Sequence, residues 1–506
     1  MASGAVPLFT GRMTIVTRFY RESQSEQISM ISAIAKIVQR VLMSAVGLTL
    51  ILSSVKREVM AESNSPLDPT ATLLAELIRV DTSNPPGHEG SIAELLAPRF
   101  KTLGFEVELI PTPEPGKAHF VARLKGDQSR RPVLLAAHAD VVGVEREKWT
   151  LAPFGGVIKD GYVFGRGAID FKGGMAVFAR AVMMLAEKKI PLSRDVIFLA
   201  EADEEGGRYN TTWLAQNYWP KIDCEFSLNE GGWIIKGKDG RVLYVSVSTA
   251  DKISIPFILT ARGTSTHSSM PRPDSAIFAL GRALAKLAEY ETDVKLIPST
   301  RQFFLALART ASPPMSDYFR NLTGDDPQLV KQADQEISKD PLLHAIMRNT
   351  FAPVLLNAGF RGNVIPGSAE ATINVRIIPG TDPIDIVHEL QRVIGDPRID
   401  VRLGTPSPGA AAVKVSSEDT DLFRALERQA RALYPGAEVT PYLFQAGTDA
   451  AAWRSRGVPV YGIYPYAIDS EDLSRMHGND ERVSIQSLQQ GTRMIYQTLV
   501  DVAARR

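Results

Sequence analysis

The chain is nearly devoid of cysteine: Cys224 is the single one among 506 residues. One thiol cannot build an internal disulfide framework or a Cys-based zinc cluster, so any bound metal must be held by histidine and carboxylate side chains. Neither charge is in excess, with 57 Lys+Arg against 57 Asp+Glu. That balance supplies no basic field for nucleic acid, and no basic run is interleaved with aromatics. Internal repeats and low-complexity tracts are absent. Residues 41–55, VLMSAVGLTLILSSV, form an apolar run of about 15 residues, short of the roughly 20 that a membrane span needs. What remains is 44% hydrophobic and 23% charged, the composition of a globular protein with room for about two or three domains.

The apolar run has a specific context. Lys36 and Arg40 precede it, and Lys56, Arg57 and the ending Val59-Met60-Ala61 follow. A basic segment, an apolar stretch and small residues at a cleavage point read as a secretory signal over 1–61, cut after Ala61, or as an uncleaved N-terminal anchor. The expected location is therefore exported, periplasmic or secreted, or membrane-anchored, and cytoplasmic if the segment does not act as a signal. Membrane association would rest on residues 41–55 alone. Residues 62–70, ESNSPLDPT, read as a linker.

From residue 71 helical and strand patterns alternate. ATLLAELIRV and SIAELLAPRFKTLG carry apolar residues at helical spacing, FEVELI and HFVARL read as strands, and VLLAAHAD, the helix MAVFARAVMMLAEKK and the strand DVIFLAEAD follow. Continuous apolar strands between helices predict an α/β fold whose mostly parallel sheet is covered on both faces. Near residue 249 the texture changes. ISIPFILTARG and AEATINVRII alternate apolar with polar residues, and DSAIFALGRALAKLAEY and IDIVHELQRVIG are amphipathic helices. These predict an inserted α+β domain over 249–405, an antiparallel sheet with helices on one face, lengthened by the polar region 300–345. DLFRALERQARALY and VPVYGIY resume the first texture, so the α/β domain is expected in two segments, 71–248 and 406–506.

The chemistry gathers at strand ends. VLLAAHAD closes on His138 and Asp140, residues i and i+2, which project to one face of a strand so that the carboxylate can orient the imidazole or join the shell around a metal. Asp170 closes GRGAIDFKGG, where glycines allow a tight turn beneath a ligand and Lys172 stands close by. Glu204 and Glu205 follow an apolar strand, and two adjacent carboxylates repel unless a cation or a shared proton relieves them. Glu230 in SLNEGGW follows another short strand, and His477 in SRMHGNDERVSI precedes the last helix. Each has a plain reading alone: a bonded core histidine, a helix N-cap, a surface glutamate, a loop histidine. Together they are the ligand types of a two-metal hydrolytic site at the C-terminal edge of an α/β sheet.

HAD, GRGAIDFKGG, AEADEEGG, NEGG, GTSTHSSMP, GNVIPGSAEATINVR, GTDAAAW and MHGNDERVS, in this order over about residues 70–503, resemble the aminoacylase, acetylornithine deacetylase, succinyl-diaminopimelate desuccinylase and carboxypeptidase family of co-catalytic zinc hydrolases. The long insert and FAPVLLNAGFRGNVIPG most resemble the branch with carboxypeptidase S and N-fatty-acyl-amino-acid synthase/hydrolase. The resemblance implies a zinc-peptidase-like catalytic domain and a lid or dimerisation domain with a four-stranded antiparallel sheet. It implies two zinc ions per chain, with cobalt or manganese as substitutes, His138 and Glu230 on one, Glu205 and His477 on the other, and Asp170 between them. Glu204 becomes the general base and Asp140 the residue that orients His138. His267 becomes the donor to the developing oxyanion, often from the partner subunit of a homodimer formed through the insert; Asn363 lies near the scissile carbonyl and Arg376 on a free carboxylate. Arg suits that last task because its planar fork binds a carboxylate in two places.

The expected function is two-metal-dependent hydrolysis of the amide bond of N-acyl amino acids, or of the C-terminal peptide bond of short peptides, releasing a free amino acid. An aminopeptidase of similar catalytic fold is the alternative; it would need an acidic pocket for a free amine, and Arg376 argues against one. A non-catalytic binding relative predicts missing ligands, and none is missing.

Overall fold

The computed structural model describes residues 68–405 and 414–505. The expected signal or anchor over 1–61, most of the linker 62–70 and most of the Gly/Pro-rich stretch 403–412 lie outside the described residues. The first helix, Pro69–Arg79, starts where Asp68 accepts the backbone N–H groups of Thr70 and Ala71 at 2.9 Å each, with Pro69 preset for the first turn. Among the described residues no helix is long and apolar enough to cross a membrane.

The larger layer is a ten-stranded mixed sheet. Val133–His138 lies at its middle, parallel to Val196–Glu201 on one side and Phe226–Asn229 on the other. All six residues of Val133–His138 and of Val196–Glu201 are buried. Alternation explains why. Val133, Leu135 and Ala137 face a core that includes the helices Pro69–Arg79, Lys172–Glu187 and Ile485–Ala503, whereas Leu134 and Ala136 face a second core with Leu214, Ala215 and Trp453. A strand apolar on both faces has one stable place, between two helix layers, where each large side chain contributes about 1.5–3 kcal/mol of burial. Helix Lys172–Glu187 packs directly on Val133–His138.

The second layer is a four-stranded antiparallel sheet in the order Thr350–Ala358, Ser368–Ile377, Ile253–Arg262 and Ile399–Leu403. The helices Ala276–Ala288 and Pro383–Ile394 share one core with it, built on Phe257, Leu259, Ile373, Val375 and Leu390. Strand Val242–Asp251 still belongs to the large sheet, and Ile253 begins the small one, so the chain crosses between layers at Lys252.

Residues 300–345 depart from expectation. They form the helices Pro298–Thr310, Met315–Leu322, Pro327–Ile337 and Pro341–Met347, and these join the core of the large sheet instead of lengthening the insert. Phe303 is the anchor: its ring meets Tyr244 at 5.5 Å and Tyr442 at 5.0 Å, both edge-on, on strands of the large sheet. An apolar stripe on a helix reports that it packs, not on which sheet.

Candidate metal centre and active site

The tips of the central strands set the site. His138 ends its strand directly opposite Glu201 of the neighbour. Its Nε2 lies 3.1 Å from Asp170 Oδ1 and 3.7 Å from Glu230 Oε2. On the other side, His477 Nε2 lies 2.9 Å from Asp170 Oδ2 and 3.3 Å from Glu205 Oε1. Asp170 thus offers one carboxylate oxygen to each imidazole. The side chains fall into two groups, His138 with Glu204 and Glu230, and Asp170 with Glu205 and His477, each with donor atoms within 4.8 Å of one another.

The electrostatics of this cluster call for cations. Burial, then the negative charge of Glu230, hold the Glu204 carboxyl well above the ordinary range, and burial with Asp170 pushes Glu230 up to about 7. Burial opposes a charge on His138, but its contacts with Asp140, Asp170 and Glu230 outweigh that and hold its pKa well above the usual imidazole value. His477 is pushed up to about 10 by hydrogen bonds to Asp170 and Glu205. Among the described residues no Lys or Arg hydrogen-bonds or ion-pairs with Asp170, Glu204, Glu205 or Glu230. Two imidazoles and four carboxylates, converging with no Lys or Arg bonded to the acids, fit two divalent metal ions held by nitrogen and oxygen.

Asp140 differs from its expected task. His138 Nδ1 is 3.0 Å from the backbone carbonyl of Asp140, and the Asp140 carboxylate is farther, at 3.7 Å. The strand ends at His138, so the i, i+2 alternation no longer aims that carboxylate at the ring. Its oxygens instead accept the backbone N–H of Glu204 at 3.2 Å and of Glu205 at 2.9 Å. Asp140 fixes the glutamate pair more directly than the histidine. Lys172 also turns away from the acid beside it and donates to the carbonyls of Leu77 and Val80 at the end of the first helix.

Two residues without an expected role complete the frame. Glu481, fully buried, accepts from Arg166 Nη1 at 2.7 Å and from the N–H groups of Gly167, Ile169 and Asp170 at 3.0, 2.6 and 3.0 Å. Arg166 in turn donates to the carbonyl of His477, which sits at φ 58°. One ion pair therefore locks the loops of Asp170 and His477 together. Both partners belong to the motifs GRGAIDFKGG and MHGNDERVS, so the signal was a matched acid and base in the two loops. Gly167, at φ 86°, is required there: a Cβ would meet Val141 Cγ1 at 2.8 Å. Tyr464, stacked on Trp233 at 4.2 Å, brings its hydroxyl within 2.8 Å of Glu230 Oε2 and 3.1 Å of Asp170 Oδ1.

A cavity of about 800 Å³ opens over the cluster. Asp170, Glu204, Glu205, Glu230 and His477 line its floor, and Arg376 enters from the small sheet. His267 and Asn363 are not brought to it. His267 lies on the ribbon formed by Thr266–His267 and Val364–Ile365 and Asn363 immediately precedes it, with His267 exposed and its Nδ1 2.8 Å from Ser269 Oγ. The expected contact of these two with the reacting carbonyl is therefore not made by the cavity of their own chain.

Comparison with known proteins is consistent with this geometry. The model of peptidase family M20/M25/M40 matches residues 134–501. The chain belongs to this family. It is 33% identical over 377 residues to probable carboxypeptidase S-like 2 of Dictyostelium discoideum, covering 72% of this chain and 70% of that protein. Over 390 residues it is 27% identical to N-fatty-acyl-amino acid synthase/hydrolase PM20D1 of Homo sapiens, with 76% of each covered. The crystal structure of the M20 family metallo-carboxypeptidase Sso-CP2 from Sulfolobus solfataricus superposes with a TM-score of 0.62 at 17% identity, over 86% of this chain and 99% of that one. This M20/M25/M40 member is thus a metal-dependent hydrolase of amide bonds with the α/β fold and four-stranded antiparallel layer its sequence predicts.

Proposed function

We propose that the enzyme cleaves an amide bond whose amine side carries a free carboxylate, in N-acyl amino acids or at the C-terminal bond of short peptides, and releases a free amino acid. The observation that carries this reading is Arg376. Its strand places it in the cavity wall, and among the described residues no carboxylate pairs with it; Glu204 of the site is the acidic group acting on it. A half-buried, unpaired guanidinium beside a catalytic cluster is suited to a planar carboxylate. The relatives named for carboxypeptidase and for N-fatty-acyl-amino-acid chemistry agree with that demand.

His138, Glu230, Asp170, Glu205 and His477 would hold two zinc ions, which when bound polarise the scissile carbonyl and acidify water. Asp170, held by Glu481, spans both positions. Glu204 takes the proton of the attacking water and passes it to the departing amine. Arg376 fixes the substrate's carboxylate so that the scissile carbonyl lies over the cluster, and closure of the small layer would expel bulk water.

A panel of N-acetyl, N-long-chain-acyl and dipeptide substrates sharing one C-terminal residue, each with its C-terminal amide as control, tests the reading. Turnover is expected for free acids only. Arg376→Met is expected to raise KM about 10- to 100-fold, the worth of a charge-assisted pair. Equal cleavage of amides and acids by the unaltered enzyme would rule the carboxylate requirement out.

The ribbon position of His267 favours a homodimer in which the second copy supplies this imidazole. Edge strand Thr350–Ala358 supports it, with Val354, Leu355 and Leu356 at 54%, 66% and 67% exposure and one hydrogen-bonding edge free among the described residues. Chains carrying His267→Ala and chains carrying Glu204→Gln, each nearly inactive alone, are then expected to regain about a quarter of full activity when co-expressed in equal amounts, because about half of the dimers are mixed and one site in each of those is intact. Activity no higher than the sum of the two separate variants would exclude a shared site.

A further inference from the structure

Beside the two ligand groups lies a third set of carboxylates, Glu89, Asp140 and Asp203, all buried and within the same 4.8 Å limit. By composition it resembles another cation site. It already has its cation. Lys117, only 5% exposed, places Nζ 2.5 Å from Asp203 Oδ1 and 3.3 Å from Asn84 Oδ1. Asn84 Nδ2 in turn lies 2.8 Å from both Asp203 Oδ1 and Asp140 Oδ2. Asp140 then accepts the N–H groups of Glu204 and Glu205.

The rest of the network grips the same short loop. Glu89 accepts the N–H of Asp203 at 3.1 Å, and Asp203 Oδ2 accepts that of Tyr209 at 2.6 Å. His119 reaches both loop ends, accepting from Ala202 N at 3.1 Å and donating through Nε2 to the Tyr209 carbonyl at 3.0 Å. Every one of these groups is fixed to Ala202–Tyr209 or to a neighbour that is, and the ammonium paired with Asp203 sets a positive charge beside acids that would otherwise push apart.

We propose that Lys117 is a positioning residue of the hydrolytic site, whose charge holds Asp203 and Asn84 and, through Asp140, sets the direction in which Glu204 and Glu205 face the metal centre. The inference rests on the hydrolase reading for its kinetic consequence but not for its geometric one. Outer partners of metal ligands typically affect activity or metal affinity by about 10- to 100-fold, and that range is the expectation.

The full-length, zinc-loaded protein is compared with Lys117→Met, Asn84→Ala and Lys117→Arg. Three readouts are taken: kcat and KM on a substrate the unaltered enzyme turns over, zinc loss to a competing chelator, and amide hydrogen exchange at residues 203–205. Lys117→Met and Asn84→Ala are expected to lower kcat about 10- to 100-fold with KM within about threefold, to release zinc at about tenfold less chelator, and to lose protection at those amides. Lys117→Arg should restore most of the kcat. Asn84→Ala removes no charge and decides the matter if Lys117→Met does not fold. A kcat within about twofold of normal together with unchanged exchange in the folded variants would overturn the proposal, and so would a rise in KM at constant kcat. If the unaltered enzyme cleaves nothing in the panel, the proposed substrate class fails, while zinc retention and exchange still judge the role of Lys117.

Discussion

Glu204→Gln is expected to lower kcat by about 10²- to 10⁴-fold, the usual worth of a positioned general base, while the protein keeps its metal content. Gln preserves the size and hydrogen-bonding outline of Glu but cannot accept a proton at working pH. The two adjacent glutamates differ in surroundings. Glu205 points its Oε1 to His477 at 3.3 Å, within the group centred on Asp170, whereas the Glu204 side chain has no hydrogen-bond partner among the described residues and faces the cavity. A carboxylate committed to a ligand pair is poorly placed to move a proton; one that is unbonded and open to the cavity is better placed. The backbone supports the distinction, since both N–H groups are pinned by one Asp140 carboxylate and the side chains diverge from there. Parallel measurement of turnover and of zinc by emission spectroscopy checks the assignment. The roles within the pair would have to be exchanged if Glu204→Gln lost metal and Glu205→Gln lost only turnover.

Most of the framework is legible in the sequence because it rests on local patterning. VLLAAHAD has no polar face, so it can only be a central strand, and its chemistry-bearing residues must lie at the end where the apolar run stops. Asp170, Glu204 and Glu230 follow the same logic, each placed just past a strand or just before a helix, while His477 lies in the loop ahead of the last strand and helix. Where the reading fails, a long-range fact decides. Periodicity alone cannot assign the helices of 298–347 to a layer, and the partners of Phe303, Tyr244 and Tyr442, are 59 and 139 residues away by numbering. The i, i+2 argument for Asp140 requires the strand to continue, and it ends two residues before Asp140. Glu481 and Lys117 look like ordinary surface charges until the fold buries them at 0% and 5% exposure against the loops they hold. His267 and Asn363 are placed by motif alone, and motif position carries no information about where their ribbon lies relative to the cavity.

Asp170→Asn is expected to remove metal from both positions and to reduce turnover by more than the about 10- to 100-fold typical of an outer partner. The geometry makes Asp170 different from the other four ligand residues. His138 and Glu230 approach each other on one side, Glu205 and His477 on the other, and Asp170 alone offers Oδ1 to the first imidazole at 3.1 Å and Oδ2 to the second at 2.9 Å. An amide leaves one neutral oxygen and turns a donor NH₂ toward the opposite position, where it repels a cation instead of binding it. Loss of Glu205 or His477 should empty chiefly one position; loss of the Asp170 carboxylate weakens both. The substitution should not unfold the loop, because the loop is held through its backbone: Glu481 accepts the N–H of Asp170 at 3.0 Å and of Ile169 at 2.6 Å, contacts that survive any change of the side chain. Loss of metal with a native circular-dichroism spectrum is therefore the expected pair of results. If Asp170→Asn retained both ions with affinity near normal, the carboxylate would not bridge, and the two groups would have to be treated as independent sites.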